Sequence, residues 1–247
     1  MKTSFFFLAN PALNDICLEH EIPPEKSKHF LKLRDYETII VCDDSSSMNT
    51  PIDNRGSTRW DELCLIIKVI VTIGVIFDSD GVDVYFLNRD PILKVTNPDT
   101  IDEAFRKKPR GNTPLASVLK KIFQSKLARP GQAKKLLVFI ATDGEPTDEN
   151  GNPDLPELKR VMTEVRQIET TYVSFLICTE DTDGVAYLSQ WDKDMEHVDI
   201  NDDYKTERDK IRRCHQQRDY PFSYGAYVVK AMVGAIVPEL DLLNEMT

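Results

Sequence analysis

The segment Asp43-Asp44-Ser45-Ser46-Ser47-Met48 follows the apolar run Ile39-Ile40-Val41-Cys42. It sets one carboxylate and two hydroxyls, Asp43, Ser45 and Ser47, on alternate residues at the end of a strand. Oxygen donors of this kind are ligands for a hard cation. Two pieces further along supply more of the same chemistry: Thr113 in Gly111-Asn112-Thr113-Pro114-Leu115, and Asp143 in Ala141-Thr142-Asp143-Gly144, which closes a second apolar run. The motif segments contain no His or Cys, so the donor set suits Mg²⁺, Mn²⁺ or Ca²⁺ and disfavours zinc or copper. Mg²⁺ is the expected ion in a cytosolic setting.

Asp-x-Ser-x-Ser-Met after a buried strand, Gly-x-Thr-Pro-Leu opening a helix, and a strand ending in Thr-Asp-Gly together resemble the von Willebrand factor A (VWA) family. There the pattern forms the metal-ion-dependent adhesion site (MIDAS). The resemblance spans residues 34–238, with the three pieces in the family's order. It implies that Ser45, Ser47 and Thr113 touch a divalent ion, while Asp43 and Asp143 act directly or through water and orient the hydroxyls. Two positions depart from the family's pattern. Asp44 stands where Thr or Ser is more usual and reads as an extra carboxylate beside the ion, and Ser46 stands where Gly is common. The domain is expected over residues 36–238, with an arm (1–35) packed on it and a tail (239–247).

The elements that position these residues follow from the apolar patterning. Residues 38–43, 82–87, 135–142 and 171–179 read as strands, the last two almost continuously apolar, with shorter strands at 92–95 and 197–200. Helices are expected over 60–77, 114–127, 155–169, 185–191, 206–213 and 224–237, with Pro114 suited to a first turn. Alternation of buried strands with helices implies an α/β fold: a doubly wound, mostly parallel central sheet with helices on both faces and one short antiparallel edge strand at 92–95. In such a sheet ligands bind beyond the carboxyl ends of the strands, where strand order reverses. Residues 1–35, punctuated by Pro11, Pro23 and Pro24, are expected to have little regular structure.

Composition narrows the function classes. The chain has 247 residues, 41% of them hydrophobic, and a formal net charge of -10. That balance argues against a phosphate-neutralising nucleic-acid surface, which needs clustered Lys and Arg. Residues 63–77 are apolar but interrupted by Lys68 and too short for a membrane span, and the apolar start at residues 5–9 is too short for a secretory signal. Five cysteines form an odd set, three of them inside apolar runs, and no Asn-x-Ser/Thr acceptor is present. Both features lead to an expected cytoplasmic location.

The resemblance implies a non-enzymatic interaction domain that binds an Asp or Glu carboxylate of a partner protein through the ion. The alternative is a Mg²⁺-dependent phosphohydrolase using the same oxygens. It lacks an Asp-x-Asp pair, since position 45 is Ser. Arg110 is a candidate for steering an acidic partner. Glu145, Asp148, Glu180, Asp181, Asp183, Asp202 and Asp203 form an expected acidic rim that would favour a partner with basic flanks.

Overall fold

Tyr36–Cys42 forms the first strand, β1, and its position explains its composition. Ile39 and Val41 face one apolar cluster while Ile40 and Cys42 face another, so both surfaces of the strand are covered and its last four positions are apolar. The computed structural model describes residues 10–125, 128, 130–179, 183–216 and 219–244. Five further strands join β1: β2 (Val82–Phe86), β3 (Ile92–Val95), β4 (Lys135–Thr142), β5 (Thr171–Ile177) and β6 (Val198–Asn201). Their order is β3-β2-β1-β4-β5-β6. Every pairing is parallel except that of β3 with β2, so the short strand at the edge is antiparallel as the sequence implies. From β1 the chain winds outward to β2 and β3, returns to β4 and winds outward the other way. The reversal opens a crevice between the carboxyl ends of β1 and β4.

Helices cover both faces. On one lie α1 (Pro11–Glu19), α2 (Pro24–Ser27), α3 (Arg59–Phe77), α4 (Asp99–Phe105), and, from the second half of the chain, α8 (Tyr204–Cys214) and α9 (Tyr224–Val233). On the other lie α5 (Leu115–Phe123), α6 (Leu155–Arg160) and α7 (Ala186–Asp194). The short α10 (Pro238–Asp241) follows α9. Helix α3 is apolar nearly all round because it is sandwiched, with Leu63, Ile67, Ile70 and Ile73 fully covered. A capping box between Thr58 and Asp61 fixes its start. Gly74 allows close contact with the sheet, since a Cβ there would stand 2.8 Å from Val82 Cγ2. Among the described residues no helix is long and apolar enough to cross a membrane.

Three expectations fail in detail. Residues 11–35 are largely helical, continuing after α2 as a 3-10 run, Lys28–Asp35. Pro11 and Pro24 sit in first turns, where a missing N–H costs nothing, and they start helices instead of breaking them. The segment anticipated as one helix over 155–169 widens into a π-turn, Val161–Val165, and ends there. Arg166 turns extended and buries its guanidinium against the carbonyls of Met162, Thr171 and Glu196. Helix α4 was not anticipated at all. It is secured by Ile101 and Phe105, one turn apart, and Phe105 stacks on Trp60 with ring centroids 4.0 Å apart.

Helix α9 is tied to the sheet edge by charge. Lys230 on α9 is fully buried and its ammonium lies 3.1 Å from Asp199, 3.0 Å from the Asn201 side-chain oxygen and 3.4 Å from Glu207. Burial alone would lower the Lys230 pKa, but the two carboxylates outweigh it and raise it.

Candidate metal centre

Asp43 directly follows β1 and Asp143 directly follows β4. The register pairs Cys42 with Ala141, and the ladder runs one step further, the Asp43 N–H donating to the Ala141 carbonyl at 2.9 Å. Both aspartates therefore enter the crevice where strand order reverses. After Asp43 the chain bends: the Ser45 N–H donates back to Asp43 Oδ1 at 2.9 Å, and a 3-10 turn begins at Ser46.

Four of the five anticipated ligands meet directly. Ser45 Oγ and Ser47 Oγ are 3.0 Å apart, and Ser47 donates to Asp143 Oδ1 at 2.8 Å. Asp43 Oδ2 accepts from Thr142 Oγ1 at 2.8 Å. The fifth, Thr113, stands on a loop strapped to the same turn. The Arg110 N–H donates to the Asp44 carbonyl at 2.7 Å, and the Ser46 N–H to the Gly111 carbonyl at 3.1 Å. The backbone of Thr113 is held by Thr147, whose hydroxyl accepts from the Thr113 N–H at 2.9 Å. The Thr113 hydroxyl makes no hydrogen bond to another described residue.

The donor set fits a hard divalent ion on two counts. Adjacent oxygens around a six-coordinate Mg²⁺ with bonds of about 2.1 Å stand about 3 Å apart; the Ser45–Ser47 and Ser47–Asp143 separations match that edge. The charge balance also leaves one vacancy in counter-ions. Asp143 is paired with Arg59 at 2.7 Å and Asp44 with Arg89 at 2.6 Å. Asp43, 1% exposed, has no cationic partner among the described residues, only the neutral donors Ser45 and Thr142. Burial pushes its carboxyl up to about 6, aided by Asp143 and opposed by hydrogen bonds from Ser45 and Thr142. The nearby Tyr187 hydroxyl is buried without a partner among the described residues, and burial together with the charges of Asp43 and Glu145 raises its pKa.

One expectation about charge needs correction. Asp44 does not add a carboxylate beside the hydroxyls. Alternation along the extended segment turns it the other way, where it accepts from the Asn88 N–H at 2.8 Å and from Arg89. Three of the seven carboxylates of the expected acidic rim have internal partners. Asp148 accepts from the Asn150 and Asn152 N–H groups, Asp202 pairs with Lys210, and Asp203 caps α8. Glu180, Asp181 and the Asp183 side chain lie outside the described residues.

Arg59, Arg89 and Thr142 were not singled out from the sequence. Thr142 had a visible signal, sitting directly before Asp143 at a strand end; the two arginines lie 12 or more residues from any motif piece they pair with. A second acidic group, Asp192, Asp199 and Asp241, gathers near β6 with carboxylate oxygens within 4.8 Å of one another. It already has a cation, because Lys230 pairs with Asp199.

The fold and crevice define an α/β doubly wound domain with an oxygen-lined pocket at its switch point. No protein-family profile matches the sequence, and no curated protein matches it. Among solved structures the chain is similar to the crystal structure of the pilus adhesin SpaC from Lactobacillus rhamnosus GG, with a TM-score of 0.50 and 13% identity over 83% of this chain. The match spans 30% of the adhesin's length, and at that identity the likeness bears on the fold alone.

Proposed function

We propose that this chain is a VWA-type domain whose Asp43, Ser45, Ser47, Thr113 and Asp143 hold a divalent ion, Mg²⁺ first, and that it binds partner proteins without catalysing a reaction. The observation that carries the reading is Asp43: a buried carboxylate with no counter-ion among the described residues, placed at the strand-order reversal and held by Ser45 and Thr142. A bound divalent ion would supply the missing positive charge and a centre that an Asp or Glu side chain of a partner can complete.

The protein's own groups set up that role. Thr142 and Ser45 hold both oxygens of Asp43, and Arg59 and Ser47 hold those of Asp143, so the carboxylates are oriented before any ion arrives. The hydroxyls are neutral, so an ion resting on them keeps an appetite for one more anion. Against a phosphohydrolase, both Asp43 oxygens are already engaged, and Ser45 stands where a second acid would be needed. Five unpaired cysteines favour a reducing compartment for this activity.

The test is capture of partners from an extract on immobilised protein with Mg²⁺ or with EDTA. The reading expects a partner retained only with Mg²⁺ and lost with Asp43→Ala; retention through both treatments refutes it. Release of phosphate from generic esters, abolished by Asp43→Ala, would favour the hydrolase instead.

A further inference from the structure

Beside the crevice, on the side of α4 and the Thr113 loop, the chain carries Arg106, Lys107, Lys108 and Arg110 almost in succession. Arg89, Lys107, Lys108 and Arg110 line a cleft of about 560 Å³, with Asp44 and Asn88 in its wall. The one carboxylate in that lining is already neutralised by Arg89. Arg89 is fixed in place, its guanidinium lying 5.1 Å from the Phe86 ring and 5.3 Å from the Trp60 ring. Lys107, Lys108 and Arg110 are exposed, and among the described residues none of them forms an ion pair. In a chain with a net charge of -10 this concentration of unpaired cations runs against the overall balance.

The cleft and the oxygen-lined crevice share a wall. Asp44 sits between Asp43 and Ser45 in sequence, its carbonyl holds the Arg110 N–H, and the mutual Ser46–Gly111 contacts form the ridge between the two depressions. Arg110 precedes Thr113 by three residues, so at about 3.5 Å per residue their Cα atoms stand at most about 10 Å apart. An extended peptide places side chains two positions apart on the same face, at a spacing of roughly 7 Å.

We propose that the partner segment is an acidic peptide bearing two carboxylates two residues apart. The first engages the Asp43–Ser45–Ser47–Asp143 crevice through the ion, and the second enters the cleft of Lys107, Lys108 and Arg110. The inference rests on the metal-dependent reading for the first contact only; the second is an electrostatic contact of this chain's own cations. It differs from the charge preference that the acidic rim suggested, because it rests on the cations of this cleft.

The experiment uses labelled Gly/Ser peptides carrying one Glu, two Glu two positions apart, or one Glu and one Lys at the same spacing. Each is titrated in Mg²⁺ at low salt, with binding read by anisotropy and by amide shifts of the protein. Three exposed charge contacts predict that the two-Glu peptide binds on the order of tenfold tighter than the one-Glu peptide. It should shift the amides of residues 107–110, and the advantage should shrink at high salt. In Lys107→Glu/Lys108→Glu/Arg110→Glu, with unchanged melting, the ratio between the two peptides should fall to about one. EDTA separates the two layers: survival of one-Glu binding refutes the metal reading, while the ratio between peptides still judges the cleft. Equal binding of the two peptides, no binding by any, tighter binding of the Glu–Lys peptide, displacement by a single-stranded oligonucleotide, or an advantage that survives the triple substitution overturns the proposal.

Discussion

Asp43→Asn should stabilise the metal-free protein, an unusual direction for a change at a buried site. The carboxylate is 1% exposed and lacks a cation among the described residues. Burial moves it from an ordinary value of 3.8 to about 6. At about 1.4 kcal/mol per unit, that displacement is worth about 3 kcal/mol against the folded state at neutral pH. Below pH 3.8 the group is protonated folded and unfolded, so the penalty is nil. Between 3.8 and about 6 the unfolded chain releases a proton that the folded one keeps, and stability falls as pH rises. Above that window the penalty is complete. Asn keeps an oxygen for the Ser45 N–H and offers an amide to the Thr142 hydroxyl, so the hydrogen bonds survive. At roughly 2–4 °C per kcal/mol for a chain of this size, the variant should melt roughly 6–12 °C above wild type in EDTA. Its stability should also lose the part of the slope between pH 4 and 6 that Asp43 contributes. With Mg²⁺ at a hundred times its dissociation constant the wild type gains about 2.7 kcal/mol and nearly closes the gap, while the variant gains little. Thermal melts of both proteins in EDTA and in Mg²⁺ across this pH range make the comparison. An Asn variant at or below wild type in EDTA would refute the claim that Asp43 is an uncompensated charge.

Two further outcomes test the surrounding architecture. Lys230→Ala leaves Asp199 and Glu207 buried without their cation, and should cost about 3–5 kcal/mol of unfolding free energy in urea; a loss under 1 kcal/mol would mean that α9 is not anchored by these contacts. Burial, with Asp199 adding to it, raises the Asp241 carboxyl to about 8, so the folded protein holds a proton there that the unfolded chain releases. Stability should therefore decline as pH rises from about 4 to 8, and Asp241→Asn should remove that part of the decline; a variant with the wild-type profile would contradict it.

The parts legible in the sequence are those that one strong local signal decides. Strand β4 runs over the anticipated residues because seven of its eight positions are buried and must be apolar or small. Asp43 and Asp143 could be placed because a carboxylate ending such a run has nowhere to go but the strand-end crevice. The orientation of Asp44 was within reach as well, since the alternation that selects 43, 45 and 47 sends 44 to the other side. What stayed hidden depends on contacts distant in sequence. Arg59 meets Asp143 across 84 residues and Arg89 meets Asp44 across 45, and no local pattern announces either. The N-terminal helices were hidden differently: prolines that break a helix interior and prolines that open a helix are the same letter, and only the burial of Leu13, Ile16, Phe30 and Leu33 against the core distinguishes them.

The most direct test is titration of the purified protein with Mn²⁺, followed by electron paramagnetic resonance, with Mg²⁺ as competitor. The account predicts one ion per chain, displaced by Mg²⁺ and abolished by Asp43→Asn or Asp143→Asn. No bound ion, or an ion indifferent to both substitutions but lost with Asp192→Asn near β6, would contradict it.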